Sequence, residues 1–152
     1  MFRGSSSISM DVKGRISVPT RYRAPLSEDG SSEVVCTIDL QNPCLLLYPM
    51  SEWESVEKSL KRLSDMIPSE KMFKRRILGN AADCEIDKNG RFLIPSHLRE
   101  HAGLNKQVML VGQLNKFEIW DQNAWHEQMQ RDAEIIESQT FEVTERLQDF
   151  SL

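Results

Sequence analysis

No apolar run in the 152 residues approaches the length of a membrane span; the longest is Cys44–Tyr48, against the roughly 20 residues a spanning helix needs. The opening Met-Phe-Arg-Gly-Ser-Ser-Ser carries no apolar signal region, so a cytosolic protein is expected. Cysteine is scarce. The three residues at 36, 44 and 84 are odd in number and show no CxxC spacing, which argues against a disulfide framework and against a zinc site. Cys36 and Cys44 sit in apolar surroundings and read as small buried hydrophobes. Nucleophile elbow, phosphate loop and paired-carboxylate motif are all missing, which places an enzyme last among the function classes. His97 and His101 stand at i, i+4 beside Glu100, but nothing completes a ligand set, so a surface helix with two histidines is expected rather than a metal site. His126 has no evident partner, and no cofactor is implied.

Positive charge is also in short supply, with 19 basic residues against 23 acidic and a net charge of −4. The deficit is local. Residues 123–152 hold seven acidic side chains and only Arg131 and Arg146, leaving 17 basic and 16 acidic residues in the first 122. Residues 1–26 carry Arg3, Lys13, Arg15, Arg21 and Arg23 against Asp11 alone. Nucleic-acid binding depends on charges near the phosphates rather than on the net balance. On charge alone, a solvated basic terminus is the favoured reading of the cluster.

What the chain has in abundance is self-similarity. Asp11-Val-Lys-Gly-Arg15-Ile-Ser-Val-Pro19-Thr-Arg-Tyr-Arg23 returns as Asp87-Lys-Asn-Gly-Arg91-Phe-Leu-Ile-Pro95-Ser-His-Leu-Arg99, at an offset of 76. Leu45–Tyr48 with Trp53 then matches Phe117–Trp120 with Trp125, at an offset of 72. The four-residue slip is expected in the polar loop Ser27–Glu33. Each copy spans roughly 45 residues.

Both copies have one local logic. Ile8, Met10 and Val12, then Ile16 and Val18, alternate with polar residues at strand period. Lys13-Gly14 and Asn89-Gly90 predict two-residue hairpin turns. Pro19 and Pro95 end the returning strands. Short helices follow, with Thr20 and Ser96 as expected N-caps, the first cut short by Pro25. Strands are expected at Val34–Ile38 and Val108–Val111, then at Cys44–Tyr48 and Phe117–Trp120. Ser51-Glu-Trp-Glu54 reads as a capping box for a helix bearing Trp53, Val56, Leu60 and Leu63, which Pro68 stops. Ser69 caps another, with Met72, Phe73, Ile77 and Leu78 as its apolar side and Gly79 as its C′ residue. Lys74, Arg75 and Arg76 complement the end of that helix, or touch phosphate. Trp125, Met129 and Ile135–Ile136 suggest a further helix, and Phe141–Leu152 is a tail that is partly disordered or docks on a partner. The expected organisation is a module at 5–52, a helical connector at 53–80, a second module at 81–124, and a C-terminal helix with acidic tail at 125–152.

Each repeat sets a glycine and an arginine at a hairpin tip: Lys13, Gly14 and Arg15 in the first, Lys88, Asn89, Gly90 and Arg91 in the second. A two-stranded ribbon fits the DNA major groove, where arginine contacts guanine O6 and N7. Lysine beside it suits phosphate. A purely structural reading stands level with this one. Asp11 precedes Arg15 by four residues, as Asp87 precedes Arg91, and each pair could simply close its own turn.

The Asp-x-x-x-Arg blocks, with Gly before Arg and Pro four after it, resemble the SpoVT/AbrB-type DNA-binding module. Two modules in a chain of this length resemble the MraZ family of bacterial regulators associated with division and cell-wall genes. Met1-Phe2-Arg3-Gly4, Cys44–Pro49 and Gly112–Trp120 also look like that family. The resemblance covers nearly the whole chain. It implies a mainly β fold with flanking helices, in which two swapped-hairpin modules form a pseudo-dimeric barrel within one chain. It further implies a ring-shaped homo-oligomer in the cytoplasm and on the nucleoid, with double-stranded promoter DNA carrying short direct repeats as partner and repression of its own operon as the usual outcome. The DNA-contacting role carries over to Arg15 and Arg91 and the motif lysine to Lys13; the second copy departs there, with Asn89 at the lysine position and Lys88 just before it. A protein-interaction or antitoxin-like module is the alternative, with Phe141, Leu147 and Phe150 of the acidic tail serving it. An upstream direct repeat would favour the first reading, and a neighbouring toxin-like gene the second.

Overall fold

The protein is described by a computed structural model covering residues 1–152. It divides into two compact units, Met1–Gln122 and Asn123–Leu152. In the first, strands β1 (Ser5–Ser9), β3 (Glu33–Ile38), β4 (Leu45–Pro49), β5 (Ala82–Glu85), β7 (Gln107–Gly112) and β8 (Phe117–Asp121) build a six-stranded sheet in the order β1-β7-β8-β4-β3-β5. Strands β2 (Arg15–Ser17) and β6 (Arg91–Leu93) form a separate two-stranded ribbon. Every pairing is antiparallel. The sheet is open, with β1 and β5 as its edges, so the hydrogen-bonded strands do not close into the barrel that the resemblance implies.

The strands that begin each repeat pair with the other repeat. β1 lies on β7 and β5 on β3, while β2 pairs with β6. Ile16 faces Phe92 across the ribbon, and Leu46 faces Glu118 where β4 meets β8. Each is a pair of equivalent positions, at offsets of 76 and 72, so a pseudo-twofold axis passes through both. The registers also relocate the slip between repeats. Ile8 pairs with Val108, while its counterpart Cys84 pairs with Val34. β3 and β7 are therefore offset by 74, so two of the four residues enter after the first short helix and two in the β3–β4 loop. The sequence alone could not separate them, because the polar β3–β4 loop has no matched anchor on its near side.

Helices α1 (Thr20–Leu26) and α4 (Ser96–His101) follow the ribbon strands; α2 (Met50–Lys61) and α3 (Pro68–Gly79) follow β4. Their N-caps correct the expectation. Pro19, Pro95 and Pro49 occupy the cap positions of α1, α4 and α2, and Thr20, Ser96 and Ser51 lie inside the helices with no side-chain cap bond. Proline fits there because its ring fixes φ near −65° while its carbonyl still accepts the first helical bond; Tyr22 N–H and Leu98 N–H donate to Pro19 O and Pro95 O at 2.9 and 3.1 Å. Pro25 does not shorten its helix, since α1 has seven residues and proline-free α4 has six. Pro68 is the first residue of α3 rather than the stop of α2, the favoured place for a residue without an N–H. Ser69 accordingly sits inside that helix rather than capping it.

Alternation in the strands buries two cores. On one sheet face Val34, Cys36, Leu45, Leu47, Leu110 and Ile119 meet the ribbon's Ile16 and Phe92 and the short helices' Leu26 and Leu98. On the other, Val35 and Tyr48 meet Trp53 and Leu60 of α2 and Ile77 of α3. Buried Thr37 donates its hydroxyl to Ile77 O at 2.7 Å, which satisfies the one buried polar side chain. Cys36, Cys44 and Cys84 are all buried and free. The second unit carries most of α5 (Gln122–Glu137) and all of α6 (Glu145–Gln148). α6 is capped by Thr144, whose hydroxyl accepts from Leu147 N–H at 3.3 Å.

Candidate nucleic-acid interface

The two turn tips are built alike, and not as two-residue hairpins. Asp11 O accepts Gly14 N–H at 3.0 Å and Asp11 N–H donates to Arg15 O at 3.0 Å; Asp87 O accepts Gly90 N–H at 2.9 Å and Asp87 N–H donates to Arg91 O at 2.8 Å. Only the glycines have positive φ, +94° at Gly14 and +79° at Gly90. Either primed two-residue turn needs positive φ at its first central residue, which would be Lys13 or Asn89, so these are three-residue loops closed by a left-handed glycine bulge. Lys13-Gly14 and Asn89-Gly90 signalled the turn's place correctly and its type wrongly.

Asp11 organises the first tip. Its Oδ1 accepts the N–H groups of Lys13 and Arg15, both at 2.9 Å, and its Oδ2 accepts Arg15 Nε–H at 2.8 Å. These bonds, led by the Arg15 backbone N–H and then its side chain, lower the Asp11 pKa from 3.8 to about 2. Both readings of the Asp–Arg pair therefore meet in one geometry. Asp11 holds the Nε edge of the guanidinium, and the two Nη groups stay available to an outside acceptor. In the second tip Asp87 Oδ1 accepts Asn89 N–H at 2.8 Å and Arg91 N–H at 3.0 Å, which likewise lowers its pKa. The side-chain latch is looser, with Arg91 Nε 4.0 Å from Asp87 Oδ2 and buried without an acceptor.

The ribbon brings both arginines to one surface. Ile16 and Phe92 point into the core, so period two turns Arg15, Ser17, Arg91 and Leu93 to the opposite face. Arg15 stands across from Leu93 and Ser17 across from Arg91. Val12, Lys13, Lys88 and Asn89 are exposed at the tips, while Gly14 and Gly90 are buried.

Sequence reasoning missed what buries those glycines. Arg99 of the second repeat lies against Gly14, where a Cβ would come within 2.5 Å of its guanidinium carbon, and Arg23 of the first lies against Gly90, at 2.4 Å. Each arginine is itself held by its own repeat, Arg23 Nε–H donating to Val18 O and Arg99 Nε–H to Ile94 O, both at 2.9 Å. Backbone bonds complete the exchange: Val18 N–H donates to Gly90 O at 2.8 Å and Ile94 N–H to Gly14 O at 3.0 Å. Each tip is thus shaped by the other repeat. The recurrence of Arg23 and Arg99 at the offset of 76 was the available signal.

Three residues with metal-ligand chemistry also converge, with ligand atoms of Asp39, Cys44 and Glu118 all within 4.8 Å. Each has a partner in the protein: Cys44 Sγ donates to Asp39 Oδ2 at 3.5 Å, Asn42 Nδ2 donates to the same carboxylate at 3.1 Å, and Trp120 Nε1–H donates to Glu118 at 2.9 Å. Burial first, then the two carboxylates, push the Cys44 thiol far above its usual value, which keeps it a neutral donor. His97 and His101 are both exposed on α4.

The stretches that resembled one family meet in space. Phe2 and Leu114 exchange backbone bonds at 2.8 Å, and the Phe2 ring packs on Phe117 at 4.4 Å. Gly112 lets this segment approach, since a Cβ there would meet Arg3 backbone at 2.4 Å. Tyr22 donates its hydroxyl to Arg3 O beside them, and β4 pairs with β8.

Fold and tips together define a tandem-repeat β protein whose two modules exchange strands and present arginine-bearing turns on one ribbon. The chain belongs to the MraZ family. The family described as "MraZ protein, putative antitoxin-like" matches it twice, over residues 1–76 and 77–150. It is 57% identical to a protein of Pseudoalteromonas atlantica, 54% to one of Idiomarina loihiensis and 53% to one of Escherichia coli, each over the full length of both chains and each named transcriptional regulator MraZ. No helix is long and apolar enough to cross a membrane.

Proposed function

We propose that this protein is a sequence-specific DNA-binding transcriptional regulator that represses its own division and cell-wall operon. The observation that carries the reading is the β2–β6 ribbon, which sets Arg15 and Arg91 on one outward face. A ribbon of this kind fits a major groove. Arg15 and Arg91 offer guanidinium edges to guanine, Asn89 offers its amide to adenine, and Lys13 and Lys88 neutralise phosphate. Asp11, Asp87, Gly14 and Gly90 shape the tips, and Pro19 and Pro95 end the ribbon strands. The relatives' shared name supports regulation of transcription.

In this reading residues 5–52 and 81–124 are swapped-hairpin modules forming a pseudo-dimer, 53–80 connects them, and 125–152 is an appended helix and tail. Copies assemble into a ring on nucleoid DNA in the cytoplasm. A ring that presents its tips at regular spacing gains affinity for direct repeats through effective concentration. No reaction is assigned. The antitoxin-like wording of the family description favours one second reading, a protein-binding module that masks a toxic partner.

The test is fluorescence anisotropy with the DNA upstream of the chain's own gene against a scrambled duplex, across salt concentrations. Native protein prefers the upstream duplex, and Arg15→Ala removes the preference while remaining folded. Affinity falls steeply with salt. Equal weak binding to both duplexes overturns the reading and favours the protein-binding one.

A further inference from the structure

The outward face of the ribbon carries one side chain that the attraction of cations to DNA does not explain. Leu93 is 50% exposed there, directly across from Arg15. Antiparallel partners hold their Cβ atoms about 4.5–5.5 Å apart, a spacing of about one to two base steps. A lone exposed leucine is ordinary on a protein surface. This one sits in the middle of the reading face. Ile16 and Phe92 fill the core beneath it, and Arg15, Ser17 and Arg91 share the face with it.

The two repeats differ on this face. The pseudo-twofold axis relates Arg15 to Arg91, and Leu93 to Ser17, its counterpart 76 residues earlier. It also relates Val12, wholly exposed at the first tip, to Lys88, and Lys13 to Asn89. The arginines are thus equivalent and their surroundings are not. Across from Arg15 stands an apolar side chain; across from Arg91 stands a hydroxyl. A face that obeyed the twofold would read the same bases in either orientation, as symmetric proteins read palindromes. This face has a direction.

One base edge in the major groove presents an apolar group, the 5-methyl of thymine. We propose that Leu93 packs on the 5-methyl group of a thymine beside the guanine that Arg15 takes. The contact has no equivalent at Ser17, so it sets the protein's direction on a box that is not palindromic. Leu93 has no group that needs a hydrogen bond, and it tells thymine from cytosine by burying the methyl. The inference rests on the DNA-binding reading above and deepens it by naming a second base that one half of the ribbon reads.

Deoxyuridine tests it, because it keeps the hydrogen-bonding groups of thymidine and lacks only the methyl. The upstream duplex is prepared in two forms, one with thymidine and one with deoxyuridine throughout. Fluorescence anisotropy of both is measured with the native full chain and with Leu93→Ser. Native protein binds the deoxyuridine duplex more weakly by about fourfold, the effect of one buried methyl. Leu93→Ser binds the two forms alike, with the affinity that native protein has for the deoxyuridine form, and that equality also shows the variant to be folded. Single deoxyuridine replacements then place the sensitive thymidine next to the guanine that Arg15→Ala no longer distinguishes. Native protein without preference for the upstream duplex over the scrambled one overturns the DNA-binding reading itself. A preference that persists undiminished on the deoxyuridine duplex overturns the thymine contact alone. So does a deoxyuridine penalty that Leu93→Ser retains, which would make the methyl a matter of duplex shape, and so does a sensitive thymidine away from that guanine.

Discussion

Asp11 shows how much one side chain decides at a turn tip. It caps two backbone N–H groups and holds one edge of Arg15, so the arginine reaches outward from a fixed base. Its pKa of about 2 lies below the ordinary 3.8. The stabilisation is therefore present above about pH 3.8 and fades as pH falls towards about 2. An NMR titration of the Asp11 carboxyl is expected to show a midpoint near 2, and Arg15→Ala is expected to raise that midpoint because the side-chain bond is lost. An Asp11 midpoint near 4 in the native protein would mean that the tip does not hold this geometry in solution.

The glycines give a second prediction at this scale. Gly14→Ala places a Cβ at φ +94° and 2.5 Å from the Arg99 guanidinium carbon. The left-handed backbone alone costs about 1–2 kcal/mol, and Arg99 must also move. Thermal unfolding is expected to show a loss of at least that size. The amide shifts that move in an NMR spectrum should include those around Arg99 and Ile94, in the other repeat, because Ile94 N–H donates to Gly14 O. Disturbance confined to residues 11–15 would contradict the exchange of tips. For Gly103, at φ +59° with open space around it, only the backbone cost is expected. The tip residues were legible in the sequence because Gly, Asp and Arg recur at a fixed offset. The turn type was not, because lysine or asparagine followed by glycine suits both a two-residue turn and a glycine bulge.

At the scale of elements, strand period and repeat offset located the strands expected at 34–38, 44–48, 108–111 and 117–120 to within a residue or two of their observed ends. Helix starts were less legible. Serine and threonine near each start suggested side-chain caps, but the proline one or two residues earlier had already taken the cap position. Partners were not legible in alternation or spacing, and only the family resemblance implied that hairpins are swapped. Alternation fixes which face of a strand is buried, not which strand lies beside it, and a local hairpin was the default. The pairing of β2 with β6 instead joins positions 76 residues apart. Its core pair, Ile16 and Phe92, is buried on one side while the arginines face the other. Phe92→Ala is expected to cost about 3–5 kcal/mol by deleting a buried ring, read as a fall in the denaturation midpoint. Ile16→Ala is expected to cost about 2–5 kcal/mol. Because the two side chains are in one pair, the double variant should lose less than the sum of the singles. Strict additivity would place them in independent cores and so contradict the ribbon.

At the scale of the whole molecule, the exchange makes each repeat incomplete. Cutting the chain after Gly79 removes β7, β6 and β5, which are the partners of β1, β2 and β3. A lone first half then exposes strand edges and opens the core face lined by Phe92, Ile94 and Leu98, a cost that residues 1–79 cannot recover within one copy. The pseudo-twofold axis supplies a way out. It passes through pairs of equivalent positions, so two copies of the half chain can adopt the same pairing, with Ile16 facing Ile16 where it now faces Phe92. Residues 1–79 are thus expected to be unfolded at low concentration and to gain β structure only as they dimerise, seen as a concentration-dependent far-ultraviolet circular dichroism signal matched by sedimentation. A half chain that folds cooperatively as a monomer would mean that its strands can pair locally, and that the exchange between repeats is not what holds the turn tips together. If the dimer forms, it carries two Lys13–Arg15 tips and no Asn89, so its binding to the upstream duplex, compared with that of the full chain, reports how much the departure of the second tip from the first matters for recognition.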